Sequence, residues 1–563
     1  MSRSHLALAA ACAATLTFAP TALADGGGGN VTPRDSGARR FVENVSVPNI
    51  VHHQVALQQI ATLNDDTREV FSPGYTESLD YVVQTLRDAG YSPKVTPFNY
   101  PIWEETKPPV LNMVSPAPGK TYRPGDAEVT DLPDSDFITM ANSPTVELTN
   151  APVFPVGGIV DPPTGGSASG CTAADYTGVS GKVALVQRGT CPFIDKWQFA
   201  QAAGATGVII YNEGNTPARQ NPIFVDNQPT PKATIAAVIS SYTLGNDLLQ
   251  AYKAGKNPTV DFKVYGFFKP RILNQVIAET RGGDPNNVVV VGAHLDSVPA
   301  GPGINDDGSG TATLLAQAEE LSRGHYNLRQ KIRFAWWGAE ENGLVGSSYY
   351  ARTLSDKEAA KIDVMLDYDM LASPNYVRFV YDGDGSEPGN EDFSGPPGSG
   401  KVESVFDDWF KANGMVSDRV PFDGRSDYVG FTDRGIPAGG VFAGAEGEKT
   451  EEQAAIYGGA AHSFYDPCYH QLCDNLMTVL TGIPPLEAEG LAAYLDDPTD
   501  ADKQAARAAM AGGSLKSLKE LGGAAAYAVW YFSTVRDPFG TKPKPHKPHH
   551  GHHRWQGPHR LGR

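Results

Sequence analysis

Cysteine is scarce in this chain, with five among 563 residues. Cys12 falls in the first apolar stretch, which leaves Cys171, Cys191, Cys468 and Cys473, an even number suited to an oxidising compartment. Four cysteines allow three pairings, and closeness in sequence favours Cys171–Cys191 and Cys468–Cys473. Basic residues are short as well. There are 46 Lys and Arg against 64 Asp and Glu, a formal charge of −18, and such a surface repels phosphate backbones. Nucleic acid is therefore not an expected partner. Long apolar runs are missing too, and no segment is long enough to span a bilayer. Met1 to Ala24 reads as a cleaved signal peptide, with Arg3, an apolar Leu6 to Phe18 and the small-x-small site Ala22-Leu23-Ala24. Ala9 stands where a lipoprotein would carry a leucine-like residue three before Cys12, so the expectation is a secreted protein without a lipid anchor. What is plentiful is glycine and proline, 60 and 43, which suits a loop-rich extracellular chain of two or three domains.

The most informative stretch is Val288 to Gly310, VVVVGAHLDSVPAGPGINDDGSG. Four β-branched residues in a row mark a strand buried on both faces. The run stops at His294, and in extended backbone Asp296 returns to the same side, where its carboxylate can orient a metal-binding imidazole. Asn305-Asp306-Asp307-Gly308 is an acidic turn that leads into the helical spacing Leu314, Ala318, Leu321. Open α/β sheets place their chemistry at the carboxyl ends of strands. By itself the stretch reads as half of a metal site or as a core histidine beside a polar turn.

Elsewhere the pattern repeats. Lys331 to Trp337 is strand-like and ends in Gly338-Ala339-Glu340-Glu341-Asn342-Gly343; two adjacent carboxylates enter one site only where the strand turns sharply, and the following glycines permit that. Ile362 to Tyr368 ends at Asp369-Met370, and Cys468-Tyr469-His470-Gln471-Leu472-Cys473-Asp474 holds a histidine in a tight loop. Ile50 to Leu63 and Glu77 to Ala89 have helical spacing, Tyr91 to Tyr100 reads as a strand, and Asn112 to Pro144 is rich in Pro, Asp and Ser, like a boundary. From Thr145 to Val264 the chain shows short β runs, Val183 to Gln187 and Gly207 to Tyr211, around a helical Trp197 to Ala203. Thr541 to Arg563 carries six histidines among Lys, Arg, Pro and Gly without acids, a tail expected to be disordered.

Two resemblances follow from these strings. VALVQRGTCPF with Lys196 and Ala200 to Ile210 resembles the protease-associated domain. GAHLDSV, GINDDGSG, WWGAEENGLVGS, DMLASPN, FDGRSD and CYHQLCD, in that order over about residues 288 to 534, resemble the secreted two-zinc aminopeptidases of the leucine-aminopeptidase and aminopeptidase Y type. The resemblance implies an α/β fold, a central mixed β-sheet flanked by helices, with an inserted β-rich protease-associated domain. It implies boundaries of 1–24 signal peptide, 25–144 N-terminal catalytic part and linker, 145–264 protease-associated domain, 265–535 catalytic domain and 536–563 tail. It implies two zinc ions, His294 and Asp369 on one, Glu341 and His470 on the other, Asp306 bridging, with Glu340 as general base. Two histidines and three carboxylates suit zinc and leave a position open for solvent. Tyr469 would steady the oxyanion, Arg425 position the substrate, Asp296 support His294, and the bond after Asp306 be cis. The substrates implied are peptide or protein N-termini. Tyr428, where relatives often carry His, departs from the pattern at the expected pocket rim, and 484–514 is an Ala- and charge-rich insertion before a last helix, Leu521 to Thr534. Other functions weighed are a carboxypeptidase of the same superfamily, a single-zinc glutaminyl cyclase and a receptor-like protein without catalysis.

Overall fold

Val288 to Val291 are all fully buried, and they alternate between two cores: Val289 and Val291 face one, Val288 and Val290 the other. The computed structural model describes residues 36–540 except 126–134, 217–218, 224, 226–232 and 392, so the signal segment and the His-rich tail lie outside the described residues. The valine strand, Asp284–His294, runs parallel to Gln330–Trp337 on one side and to Ile362–Asp367 on the other. Ala438–Phe442 extends the parallel set. Gly266–Glu279 and then Lys94–Glu105 add antiparallel strands at one edge, while Phe379–Tyr381 and Asp418–Val420 complete eight strands at the other. Phe334 and Trp336 against Ala335 and Trp337 repeat the two-sided burial one strand over. Apolar burial on both faces demands cover on both. The helices Val47–Thr62, Pro73–Asp88, Gly308–Gly324 and Gly513–Thr534 cover one face, and Ala351 of Val345–Thr353 and Phe431 of Val429–Thr432 pack on the other.

Several boundaries move. Ser36–Asn44 is an additional helix before the two expected ones. The last helix starts at Gly513 rather than Leu521, and Leu518, Leu521, Ala525 and Val529 are fully buried along it. Within the insertion, Asp500–Met510 is a helix opened by a capping box on Thr499 and Asp502.

A second mixed sheet of eight strands carries Val146–Pro155, Val183–Gln187, Gly207–Tyr211 and Ala236–Ser240 in parallel succession. It also recruits Val110–Ser115 and Phe137–Thr139, which lie before the expected boundary at 145. The reason is pairing: Thr259–Val264 bonds to Val110–Ser115 on one side and to Val146–Pro155 on the other. Both disulfides are present, Cys171–Cys191 and Cys468–Cys473, and the Asp306–Asp307 peptide is cis.

Candidate active site

The parallel strands end on one side of the first sheet, and the acidic and imidazole groups gather there. His294 closes its strand, Glu340 and Glu341 follow Trp337, and Asp369 follows Asp367. The turn after Trp337 is made by Ala339 in the left-handed region, φ 58°, rather than by a glycine. Gly338 serves a different need, because a Cβ there would collide with the Tyr75 hydroxyl.

Asp306 stands between two imidazoles. Its Oδ1 lies 3.1 Å from His294 Nε2 and its Oδ2 3.3 Å from His470 Nε2. Asp369 Oδ1 is 3.6 Å from the same His294 nitrogen, and Glu341 Oε2 is 3.0 Å from that of His470. Two half-sites therefore share one carboxylate. His294 Nδ1 faces the main-chain carbonyl of Asp296 at 3.1 Å, which makes Nδ1 the protonated nitrogen and leaves the Nε2 lone pair for a ligand.

Here the structure corrects the expectation for Asp296. Its carboxylate is 3.9 Å from His294 and accepts instead from the backbone N–H of Glu340 and Glu341, at 3.2 and 3.3 Å. The polypeptide folds so that Asp296 caps the sharp turn, and its carbonyl does the orienting of His294. Asp307 lies near His294 and Asp369 with metal-ligand spacing. Its oxygens, however, accept from the N–H groups of His294, Gly310 and Met370, so it works as a helix cap.

The donor set fits divalent metal. Glu341 Oε1 is buried with no hydrogen-bond partner, a costly state unless a cation or its water lies beside it. Burial opposes a charged His470, yet Glu341 and Asp306 outweigh it and push the imidazole up to about 10. Burial likewise opposes charge on His294, and Glu340, Asp306 and Asp369 override it. The pocket demands positive charge. A third acidic group, Asp382, Asp384 and Glu403, also has suitable spacing. There Glu403 is paired with Arg419 at 2.7 Å, and Asp382 accepts from the N–H groups of Ser386 and Glu387.

Glu340 is largely buried, with 10% of its side chain exposed, and lies 4.0 Å from His294 Nε2. Burial, together with Asp369, Glu341 and Asp427 nearby, raises its carboxyl well above the ordinary value. Tyr469 stacks on His470 with ring centroids 3.8 Å apart, and its hydroxyl accepts from Arg425 at 3.2 Å. Arg425 is held by Glu446 through both carboxylate oxygens, at 2.8 and 3.1 Å. Glu446 was not anticipated, nor was Ser426, whose hydroxyl donates to Asp369 Oδ2 at 2.8 Å, nor the fully buried Arg68, which donates to the carbonyls of Leu295, Pro302 and Gly303. Arg68 sits between two helices with no motif around it. Tyr428 is not at a rim: it is buried, packs on Phe422 and Tyr381, and bonds to Asp423.

The model of peptidase family M28 matches residues 275–483, and that of the PA domain matches residues 150–248. An aminopeptidase of Pseudomonas aeruginosa is 43% identical over 435 residues, 77% of either chain. A probable leucine aminopeptidase 2 of Aspergillus oryzae is 37% identical over 77% of this chain and 81% of its own. Among solved structures, an aminopeptidase from Aneurinibacillus sp. strain AM-1 shares the fold, with TM-score 0.55 and 23% identity over 88% of this chain and 96% of that one. Likeness of this extent to whole relatives leaves one assignment: the chain belongs to peptidase family M28 and carries a PA domain.

Proposed function

We infer that the protein is a secreted aminopeptidase with two zinc ions, one held by His294 and Asp369, the other by Glu341 and His470, and Asp306 shared between them. The observation that carries this reading is Asp306, with one oxygen toward each imidazole. Zinc bound there supplies Lewis acidity, polarising the scissile carbonyl and acidifying water. Glu340 takes the proton of the attacking water and hands it to the leaving amine, a role suited to a carboxylate whose burial raises its proton affinity. Tyr469, steadied by Arg425, donates its hydroxyl to the developing oxyanion. The substrate's free ammonium is met by Glu340 and Asp369. Two disulfides agree with export to an oxidising compartment.

The carboxypeptidase alternative needs a free cation for the substrate's terminal carboxylate, and Arg425 is engaged by Glu446 instead. The receptor-like alternative needs a broken ligand set, and all five side chains are present and gathered. The test is release of product from leucine p-nitroanilide beside its N-acetylated form. Turnover of the free amine alone is expected, and rapid turnover of the blocked substrate would sink the exopeptidase reading.

A further inference from the structure

Ile304, Asn305 and Asp306 present three successive backbone N–H groups to a single residue. Ile304 donates to the main-chain carbonyl of Asp474 at 3.1 Å, Asn305 to its Oδ1 at 2.7 Å and Asp306 to its Oδ2 at 2.9 Å. Asp474 directly follows Cys473, which closes the loop that carries His470. On the other side of that loop Asp466 Oδ2 accepts from the Asn305 side-chain amide at 2.6 Å, and its Oδ1 accepts from the Cys468 N–H at 2.8 Å. The Asn305 side-chain oxygen is engaged in turn by the Ala372 N–H at 2.8 Å, three residues beyond Asp369.

We propose that Asp474, with Asp466, is a clamp that sets the shared carboxylate: it fixes Asp306 against the His470 loop, so that both zinc ions depend on a residue that ligates neither. This rests on the two-zinc reading above. The physical basis is exclusion of other registers. Both Asp474 oxygens and both Asn305 amide groups are used in one mutually consistent pattern, and all four residues from Ile304 to Asp307 except Asp306 are 1% exposed or less. An amide in place of the Asp474 carboxylate would turn an N–H toward a backbone N–H, donor against donor, at Asn305 or Asp306. Asp306 would then lose its fixed direction, and because it faces both imidazoles, both half-sites would loosen together. Supporting residues of this kind typically change metal affinity by roughly 10–100-fold. Asp474 is thus a positioning residue.

The experiment is a chelator titration of purified zinc-loaded protein, with zinc counted by mass spectrometry, on wild type, Asp474→Asn and Glu341→Gln. The wild type is assayed first: if it holds zinc and cleaves leucine p-nitroanilide, the functional reading stands and the variants report on the clamp alone. Asp474→Asn should release both ions together at roughly 10–100-fold lower chelator, with kcat falling more than KM. Its metal-free form should melt somewhat below metal-free wild type, by the cost of the buried donor pair, and its zinc-loaded form should lose more, because zinc then stabilises it less. Glu341→Gln should release one ion early and one late. Zinc retention in Asp474→Asn within twofold of wild type overturns the proposal, as does an equal loss of melting temperature with and without zinc, which would make Asp474 a plain structural strut. Should Asp474→Asn fail to fold, Asp466→Asn removes only the bond to the Asn305 amide; early loss of both ions supports the clamp, and unchanged retention overturns it.

Discussion

Among the described residues the molecule contains two mixed sheets of eight strands, each built around parallel strands and helices, and only the first gathers His, Asp and Glu groups with metal-ligand spacing. In the first sheet the strand ends deliver His294, Glu340, Glu341 and Asp369 into one pocket, and carboxylate oxygens such as Glu341 Oε1 and Asp367 Oδ1 are buried without a partner. In the second, the corresponding ends carry Gln187, Tyr211 and Ser240. Gln187 there exchanges hydrogen bonds with the backbone of Val160 and the buried Lys196 donates to the Ser169 carbonyl; the Tyr211 hydroxyl is buried without a partner, but none of the three strand-end residues is a carboxylate or an imidazole. Architecture alone does not make a site; carboxylates and imidazoles converging at the strand ends do.

The largest expected effect that would break this comparison is at Glu340. Glu340→Gln should lower kcat by roughly 10²–10⁴, about 3–5 kcal/mol of barrier, while both zinc ions stay bound and the melting temperature hardly moves. Loss of zinc from Glu340→Gln with both ions retained in Glu341→Gln would exchange the two roles. Removing zinc with a chelator should likewise abolish turnover, with recovery on adding zinc back, and full activity in demonstrably metal-free protein would refute the reading. Acid should have the same effect as chelation. Zinc needs neutral His294 and His470, and the carboxylates around them raise the proton affinity of both, His470 to about 10, so protons compete increasingly for both nitrogens as pH falls from there, and a zinc count across a descending pH series checks it.

Next come the disulfides, one in each region. Cys171–Cys191 spans 20 residues and Cys468–Cys473 only 5. The loop-closure model assigns them about 3 and about 2 kcal/mol. Cys171→Ser should therefore cost melting temperature without changing zinc content, whereas Cys468→Ser should cost activity and zinc retention more than melting temperature. The opposite ranking would make the His470 loop's bridge a simple staple.

The smallest effect concerns a feature the two regions share. Lys196 and Lys449 are both buried, and burial lowers them from 10.5 to about 8 and about 7. Lys449 donates to the carbonyls of Asn375 and Tyr376. Between those values and 10.5 the unfolded chain holds a proton that the native chain does not, so stability should rise with pH through that window. Lys196→Met and Lys449→Met should each flatten the rise in urea titrations run from pH 7 to 10 or so. Flattening in neither would leave the slope to other groups.

How much of this was legible beforehand depended on the kind of signal. The valine run and the close pairing of cysteines are local patterns, and the corresponding strand and disulfides stand where those patterns put them; the side chains named by the family resemblance lie close together, His294 and His470 on either side of Asp306. Asp296 was misassigned in its contact because period-two alternation predicts a shared side but not which atom a neighbouring turn will claim. Arg68, Ser426 and Glu446 act through partners far away in the chain, such as Leu295, Asp369 and Arg425. The start of the second sheet was missed for a similar reason: Val110–Ser115 becomes a strand through Thr259–Val264, well over a hundred residues later.

The register of the first sheet's edge bears on how such a chain came to be assembled. Lys94–Glu105 and Gly266–Glu279 pair without a break to the position where Glu105 lies opposite Gly266. Those two residues are the neck of the whole second sheet, already side by side as in a hairpin. A gene that lost or gained everything between them would change the length of one surface turn and leave the buried valines, the strand ends and the zinc pocket untouched. The accessory module is, in topological terms, an elaborated hairpin loop, and joining Glu105 to Gly266 through a two-residue turn is the shortest route to a catalytic domain that stands alone.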